Sequence, residues 1–494
     1  MRRIKEFIWP IKSEELKKFL PMSIMLCLTL FNYNALRSFK DSLVVPNIGA
    51  EALSFIKFFC VVPAAIIFVI IYAKMTNIWN FRRIYITIAS FFIGAFLLFG
   101  FAFYPNEVVI HPNPDFINQY INQNINLWLF NVPIVHFKWF FLIYSQWLYA
   151  IFYVIAELWT IMSALLFWQF ANQIIKTSEA KRFYPMFAFL GSFGAFLAGG
   201  VIKCSAILQH LFAQDTIFLV KIMMTILSIA TIFIIGLFEY VNRRIITDEK
   251  YLKHIKTKRP ESKMPLFESF KVITSSKYLR MIAALVLCYG VSMNLLEGPW
   301  KATVREVYNT TDDYVYFMAG VNQWTGGISM IFILIGTSIL KKYDWFTAAI
   351  ITPIAFFVSG LLFFVFVVFD EVANTYLSSF FLFDPILIAV YLGLLQNVLS
   401  KSTKYALFDP TKEMTYIPIN DELKSKGKAA VDVIAARFAK SGAAFLQSLL
   451  FIIFPSATYL TISTFLMVVF VIVVLYWMID VKLLNREYIK QLNH

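Results

Sequence analysis

The sequence predicts an all-α polytopic membrane protein of about twelve transmembrane helices, and three observations support that fold class. First, 59% of the 494 residues are hydrophobic, whereas soluble proteins contain roughly 45–50% apolar residues. Second, apolar runs of about 20 residues recur along the whole chain, and a helix of that length crosses a bilayer. Third, the sequence lacks the short alternating segments that are typical of a membrane β-barrel.

The apolar runs place the spans, and the basic residues orient them. Lys and Arg cluster before the first span and in every second connection, whereas the connection 105–137 contains neither. Cytoplasmic loops of membrane proteins are enriched in Lys and Arg, so we expect both termini on the cytoplasmic side. The connection 301–314, with Lys301 and Arg305, is the one exception. The predicted spans are 20–44, 52–73, 84–104, 139–170, 182–203, 217–240, 279–300, 315–340, 346–370, 377–400, 431–454 and 457–479.

The same charge distribution excludes several classes of protein. The positive-inside rule accounts for most of the net charge of +14, and no soluble basic domain is present to bind nucleic acid. The four cysteines have no spacing typical of metal ligands, and we expect no cofactor. The charged N-terminus has no apolar segment followed by a cleavage site, so we expect no cleaved signal peptide.

A basic segment at 241–278 divides the chain into two predicted halves, 1–240 and 279–494, with six spans each. The halves are weakly similar. An Arg-Phe pair precedes a Gly/Ala-rich stretch at residue 182 and again at residue 437, and the connection between spans two and three resembles that between spans eight and nine. Two parallel six-span repeats around a cavity describe the major-facilitator architecture, although a fold alone does not identify a substrate.

Glu157 is the most informative single residue, because it lies inside the fourth apolar run with no basic residue within a helical turn. An unpaired carboxylate in a bilayer costs several kcal/mol, so such a residue faces a protein interior or a watery cavity. Aromatic residues nearby could stack a nucleobase, but at helical spacing they more often pack against other helices; they are Trp159, Phe167, Trp168 and Phe170.

The first predicted helix carries two cations on the same face as Tyr33. Arg37 and Lys40 follow Tyr33 at i+4 and i+7. The alternative without a functional role is that Arg37 pairs with Asp41 while Lys40 extends to a membrane surface.

The seventh predicted helix places Asn294, Glu297 and Lys301 on one face. Gly298 and Pro299 follow Glu297, and we expect them to open the helix where it lines a cavity. The alternative reading is a local pair between Glu297 and Lys301 at i, i+4 spacing.

The eleventh predicted helix has a line of residues at i, i+4 spacing that runs from Lys428 through Asp432 and Ala436 to Lys440 and Ala444. Lys428 and Asp432 could form a simple pair at the helix end, whereas Lys440 has no acidic residue within a turn.

The predicted interior therefore contains more cations than anions. Arg37, Lys40, Lys440 and one of Lys428 or Arg437 face Glu157 and Glu297. Because Lys and Arg are the usual phosphate partners, this excess predicts an anionic substrate.

Motifs for ATP hydrolysis and for other enzymes are missing. The sequence contains no phosphate-binding loop of the G-x-x-x-x-G-K-[ST] type, since AKSGAA at 439–444 lacks the leading glycine and lies in a span. HExxH, GxSxG and Cys–His metal patterns are also absent. We therefore expect no enzyme activity. A non-transporting scaffold would have no need for excess interior cations, and an intramembrane enzyme would need a nucleophile–base pair.

Several segments resemble the ATP/ADP translocases, or nucleotide transporters, of obligate intracellular bacteria and plant plastids. The resemblance covers essentially the whole chain. Its most specific segments are NALRSFKDSLVV at 34–45, AELWTIMSALLFWQFANQI at 156–174, EAKRFYPMF at 179–187, GVSMNLLEGPWK at 290–301, QNVLSKSTKYALFDPTKEMTYIP at 396–418 and KGKAAVDVIAARFAKSGAAFLQS at 426–448.

The resemblance implies a twelve-span carrier that exchanges external host ATP for internal ADP, with phosphate as a further substrate. It also implies that the four membrane-embedded charges typical of the family fall on Lys40, Glu157, Glu297 and Lys440. The chain departs from the family pattern at Ala439 and Ala443, where glycines are common, and at Pro299. Exchange of other nucleoside tri- and diphosphates is the alternative. We expect a monomer in the lipid bilayer of a bacterial inner membrane.

Overall fold

A computed structural model describes residues 11–112, 121, 123–127, 130–175, 177–245, 276–369, 384–419, 431 and 435–492. Twelve helices that match the predicted spans account for most of these residues. They are α1 (Leu16–Asn47), α2 (Ala52–Ile78), α3 (Phe81–Ile110), α4 (Trp147–Ile174), α5 (Thr177–Leu211), α6 (Thr216–Arg244), α7 (Lys277–Val307), α8 (Thr311–Lys342), α9 (Trp345–Val368), α10 (Pro385–Thr415), α11 (Ala436–Ile453) and α12 (Ser463–Leu492).

Eleven of these helices are long and apolar enough to cross a membrane, within the part of the chain that the structure describes. The remaining one, α11, contributes a shorter apolar stretch at Phe438–Ile453. The prediction of an all-α polytopic fold is thus confirmed. We refer to α1–α6 as the N-terminal set and to α7–α12 as the C-terminal set. The predicted division at 241–278 stays a prediction, because 246–275 lies outside the described residues.

Two local features differ from the sequence expectations. The fourth apolar run does not form one helix, since a short helix at Lys138–Ser145 ends before α4 begins at Trp147. The preceding connection also contains a small antiparallel hairpin, with β1 (Asn124–Leu127) paired to β2 (Phe130–Pro133).

The expected opening of the seventh helix at Pro299 is wrong. Helix α7 continues from Lys277 to Val307 with Pro299 buried inside it. A proline loses one backbone hydrogen bond, but packed neighbours in a membrane protein compensate for this loss. Gly298 contributes to that packing, because the ring of Tyr459 lies where a Cβ atom would stand.

Helix α5 holds the two sets together through close backbone contacts. Gly194 approaches Cys27 of α1, whereas Gly199 and the α8 residue Gly326 bring α5 and α8 into backbone contact. Small residues permit such close approaches. The resulting van der Waals contact stabilises the helix packing, because no hydrophobic driving force brings helices together inside a bilayer. The two sets therefore meet through α5 and α8, with α1 beside them.

Three hydrogen bonds between the sets lie at the helix ends away from the chain termini, which we call the closed end. Asn47 Nδ2 donates to Thr311 Oγ1 over 3.1 Å, and Arg305 donates to the carbonyl of Pro46 over 3.2 Å. Gln209 donates to Asp312 over 2.7 Å. At the opposite ends, the ion pairs Lys18–Glu179 and Lys277–Glu487 each join helices of one set.

Candidate functional site

Lys40 is buried in the interior and does not extend to a membrane surface. Its Nζ lies 2.6 Å from Glu157 Oε1 and 3.4 Å from the centre of the Tyr153 ring. Only 3% of its side chain is exposed. The alternative in which Lys40 reaches the surface is therefore wrong. Lys40 and Glu157, on α1 and α4, form an ion pair inside the N-terminal set.

Asp41, the residue after Lys40 on α1, links the two sets of helices. Its side chain is completely buried, and Lys301 Nζ lies 2.8 Å from Asp41 Oδ2. Lys40 Nζ is 3.5 Å from the other carboxylate oxygen. Since Asp41 is on α1 and Lys301 is on α7, this pair joins the N-terminal set to the C-terminal set.

Glu297 accepts from three cations on three helices. Arg37 of α1 and Lys301 of α7 each lie 2.9 Å from Glu297 Oε1, and Lys57 of α2 lies 3.4 Å from Oε2. The local Glu297–Lys301 pair exists, but it is one of three contacts. Arg37 pairs with Glu297 rather than with Asp41, which was the alternative within one helix.

These contacts form a continuous row of charged side chains that we call the charge chain. It contains three carboxylates and four cations, so it carries one net positive charge when every member is ionised. Its members, in order of contact, are Glu157, Lys40, Asp41, Lys301, Glu297, Arg37 and Lys57.

Lys440 borders the charge chain without joining it. Its side chain is exposed, and its ammonium acts electrostatically on the Glu157 carboxylate of the N-terminal set. Lys440 therefore faces the space between the sets and not the lipid. No carboxylate lies within ion-pair distance of it among the residues that the structure describes.

Three further predicted site residues have other outcomes. The side-chain amide of Asn294 donates to the carbonyl of Gly290 over 2.8 Å, which holds it against its own helix. Lys428 lies outside the described residues, and the side chain of Arg437 is not described although its backbone is in α11. The alternative pair between Lys428 and Asp432 therefore stays a prediction.

The aromatic residues of α4 pack against other helices, which was the simpler reading. Trp159 contacts the rings of Phe92 and Phe96, and Phe170 contacts Phe238. Trp168 is partly exposed and meets the ring of Tyr184 edge-on.

Sequence reasoning missed Asp41 and Lys57 as members of the cluster. Both are charged residues inside apolar runs, which is the signal that identified Glu157. Asp41 was assigned only a partner within its own helix, because spacing along one helix does not reveal contacts between helices.

The arrangement brings cations from both sets together and can hold an anion. Two sets of helices meet around a buried and net positive group of side chains, with Lys440 accessible beside it. Within the described residues, no group of three or more His, Cys, Asp or Glu side chains could hold a metal ion.

Solved structures with the same architecture are transporters of the major facilitator superfamily type. A bacterial homologue of the iron transporter ferroportin in its inward-facing state matches with a TM-score of 0.56 at 10% identity, covering 97% of this chain and 99% of that one. The inward-open xylose transporter XylE from E. coli matches with a TM-score of 0.55 at 11% identity, covering 94% and 95%. At such identities the similarity shows the fold alone, a bundle of membrane-spanning helices in the same arrangement.

Sequence comparison identifies the family. The family described as TLC ATP/ADP transporter matches residues 1–488. The ADP,ATP carrier protein 3 of Rickettsia bellii is 43% identical over 505 residues, covering 98% of this chain and 97% of the relative. The ADP,ATP carrier protein 4 of the same organism is 42% identical, covering 99% and 94%. The chain belongs to the TLC ATP/ADP transporter family, and it is a transporter rather than an enzyme, as the sequence predicted.

Proposed function

We propose that the protein is an antiporter that exchanges external ATP for internal ADP by alternating access. The observation that carries the proposal is the charge chain, which is buried, net positive and shared between the two sets of helices. Membership of the TLC family supports the nucleotide as substrate, and the relatives named ADP,ATP carrier proteins support adenine as the base.

The ion pairs between the sets suggest how exchange becomes obligatory. In the empty carrier, Asp41–Lys301 and Arg37–Glu297 hold α1 against α7 near the closed end. Breaking such pairs leaves buried charges uncompensated, which costs several kcal/mol. Bound phosphates can replace Asp41 and Glu297 as partners of the cations, so the loaded carrier reorients more readily than the empty one. A ligand shifts such an equilibrium only through its different affinity for the two states.

Glu157 and Glu297 act in this proposal as counter-charges to the interior cations, not as proton carriers. A carboxylate at a phosphate site repels the substrate unless it serves to hold a cation in the empty state. Lys40 is occupied by Glu157 in that state, whereas Lys440 is accessible. We therefore expect the phosphates to meet Lys440 first, and then to compete with Glu157 for Lys40.

The proposal also covers the location of the protein in the cell, its oligomeric state and its further substrate. The protein lies as a monomer in the lipid bilayer of a bacterial inner membrane, with both termini in the cytoplasm. The basic segments on the terminus side support this orientation. Phosphate is proposed as a substrate that leaves together with ADP.

Labelled ATP uptake into proteoliposomes tests the function. Purified protein is reconstituted into vesicles that are empty or loaded with ADP, and other vesicles contain a panel of nucleoside tri- and diphosphates. ADP-loaded vesicles should take up much more label than empty ones, and chromatography should recover unaltered ATP. Equal uptake in both would contradict obligate exchange, preference for another base would assign a different nucleotide, and recovery of a converted product would support an enzyme.

A further inference from the structure

Tyr459 lies in the connection between α11 and α12 at the closed end, and its backbone is bonded to the N-terminal set. Its N–H donates to Glu51 Oε1 over 2.8 Å. Glu51 directly precedes α2, and both side chains are buried. Because a buried carboxylate is costly without a hydrogen-bond partner, this bond holds the α11–α12 connection against α2.

The turn between α1 and α2 fixes the position of Glu51. Gly49 in this turn has a φ of 138°, a conformation that favours glycine. The ring of Trp139 fills the space where a Cβ atom of Gly49 would stand, and the Glu51 carboxylate packs beside it. Glu51 therefore occupies a fixed position at the closed end and is not a mobile surface group.

The side chain of Tyr459 contacts α7 in two ways. Its hydroxyl donates to Gln447 Oε1 of α11 over 3.1 Å, and Gln447 Nε2 donates to the carbonyl of Asn294 on α7 over 3.2 Å. Its ring lies directly against the α7 backbone, in the space where a Cβ atom of Gly298 would stand. Phe451 meets the ring edge-on, with 5.0 Å between the ring centres. The position of Tyr459 is therefore coupled to that of α7.

The two contacts of Tyr459 on α7 lie on either side of Glu297 in the sequence. Asn294 precedes Glu297 by one helical turn, and Gly298 follows it directly. Helix α2 also contacts Glu297 itself, because Lys57 Nζ lies 3.4 Å from Glu297 Oε2. Helix α2 therefore holds this segment of α7 twice, directly through Lys57 and indirectly through Tyr459.

Opening of the closed end acts on both of these connections. When α2 moves away from the α11–α12 connection, the bond between Glu51 and the N–H of Tyr459 breaks. Tyr459 then loses its attachment to the N-terminal set, and its contacts with α7 no longer hold Glu297 in place relative to α2. The state of the closed end thus reaches a carboxylate of the charge chain through one tyrosine.

We propose that Tyr459 is a positioning residue for Glu297. While Glu51 holds Tyr459, its ring and hydroxyl keep α7 in the position where Glu297 contacts its three cations. This inference rests on the proposed function, in which Glu297 is the counter-charge that keeps the empty carrier closed. It adds a residue outside the charge chain that determines how firmly the empty carrier is held.

The experiment measures labelled ATP uptake into ADP-loaded proteoliposomes and divides it by the uptake into empty ones. Tyr459→Phe keeps the ring and removes the hydroxyl, so that Gln447 Oε1 loses its donor. We expect this ratio to fall about fivefold or more, as for a buried polar group that is left without a partner. In a Glu297→Gln background, Tyr459→Phe should lower the ratio no further, because residues that act through one interaction have non-additive effects.

Two comparisons show whether the effect belongs to this path. Tyr278 is also a buried tyrosine of the C-terminal set, and its hydroxyl donates to the carbonyl of Thr415 over 2.8 Å. It lies at the start of α7, away from Glu297, so Tyr278→Phe should leave the ratio unchanged. Glu51→Gln keeps an acceptor for the N–H of Tyr459 and should retain most of the ratio, whereas Glu51→Ala should lower it.

The outcomes separate this inference from the proposed function. If the wild type exchanges ATP for ADP but Tyr459→Phe keeps the ratio, or lowers it equally in the Glu297→Gln background, the assignment of Tyr459 is wrong and the function stands. An equal fall with Tyr278→Phe would indicate a general loss of packing and also overturn the assignment. If the wild type exchanges no nucleotide, the proposed function fails and this inference fails with it. Gel filtration in detergent checks that each variant is folded, and if Glu51→Ala is not, the Tyr459→Phe measurements decide.

Discussion

Replacing Asp41 by Asn should weaken the closed end, because Asp41 supplies the buried bond between α1 and α7. Its side chain is fully buried, and its contact with Lys301 spans 2.8 Å. When the closed end opens, this bond must break, so its free energy stabilises only the closed arrangement. Asn keeps the shape of the side chain and removes the charge.

The contacts of Lys301 set the expected magnitude. Removing one member of a buried ion pair costs about 3–5 kcal/mol when the remaining charge has no other partner. Lys301 keeps Glu297 as a second partner at 2.9 Å, so we expect about half of this cost, about 2 kcal/mol. That free energy corresponds to a shift of about 30-fold in the equilibrium between closed and open arrangements.

Disulfide formation across the closed end measures this shift. Asn47 and Thr311 are in hydrogen-bond contact between the two sets, so Asn47→Cys with Thr311→Cys should cross-link efficiently in a background without the four native cysteines. Adding Asp41→Asn to this double-cysteine protein, the parent, should slow cross-linking or reduce its yield. Excess nucleotide should change the cross-linking yield less in the Asp41→Asn variant than in the parent.

Asp480→Asn is the matched control. Asp480 is also a buried carboxylate in a membrane helix, but it lies in α12 within the C-terminal set and makes no ion pair in the described part of the chain. Its neutralisation should leave cross-linking unchanged. Our reasoning is refuted if Asp41→Asn cross-links like the parent, or if Asp480→Asn reduces cross-linking equally.

Three further predictions follow from the same contacts. Lys440→Gln should raise the KM for ATP in ADP-loaded vesicles, whereas Lys40→Gln should mainly lower kcat because Lys40 is paired in the empty state; identical kinetic effects would contradict this difference. Glu297→Gln should lower the ratio of ADP-driven exchange to uptake into empty vesicles, and a proton uncoupler should leave exchange intact at clamped voltage; loss of exchange with the uncoupler would favour a proton relay instead. Gly199→Ala should reduce cross-linking at the closed end because its methyl group meets the α8 backbone, whereas Gly200→Ala, which meets only the Gln323 side chain at 3.5 Å, should not.

Much of the fold could be predicted because its signals are local in the sequence. Apolar runs have the length of a bilayer-spanning helix, and each run except the fourth, which forms a short helix followed by α4, corresponds to one helix of the structure. Charged residues inside those runs identified Lys40, Glu157 and Glu297, since a charge in an apolar run is costly without a partner. The interior position of these three residues therefore followed from the sequence.

The partners of these charges depended on tertiary structure. Spacing along α1 suggested a pair between Arg37 and Asp41, but Arg37 contacts Glu297, and Asp41 contacts Lys301. Two residues one turn apart are always near each other, whereas contacts between helices depend on the rotation and depth of each helix in the packed bundle. Spacing along one helix does not specify the rotation or the depth of that helix in the bundle.

The interior lysines show the same limit. Lys40 and Lys440 both lie inside apolar runs, and composition gives no reason to distinguish them. Only the folded chain places Glu157 2.6 Å from Lys40 and leaves Lys440 without an ion pair among the described residues. The sequence by itself determined that the interior is positively charged, while the packing of helices from both sets decided which of those charges are neutralised and which are available to an anion.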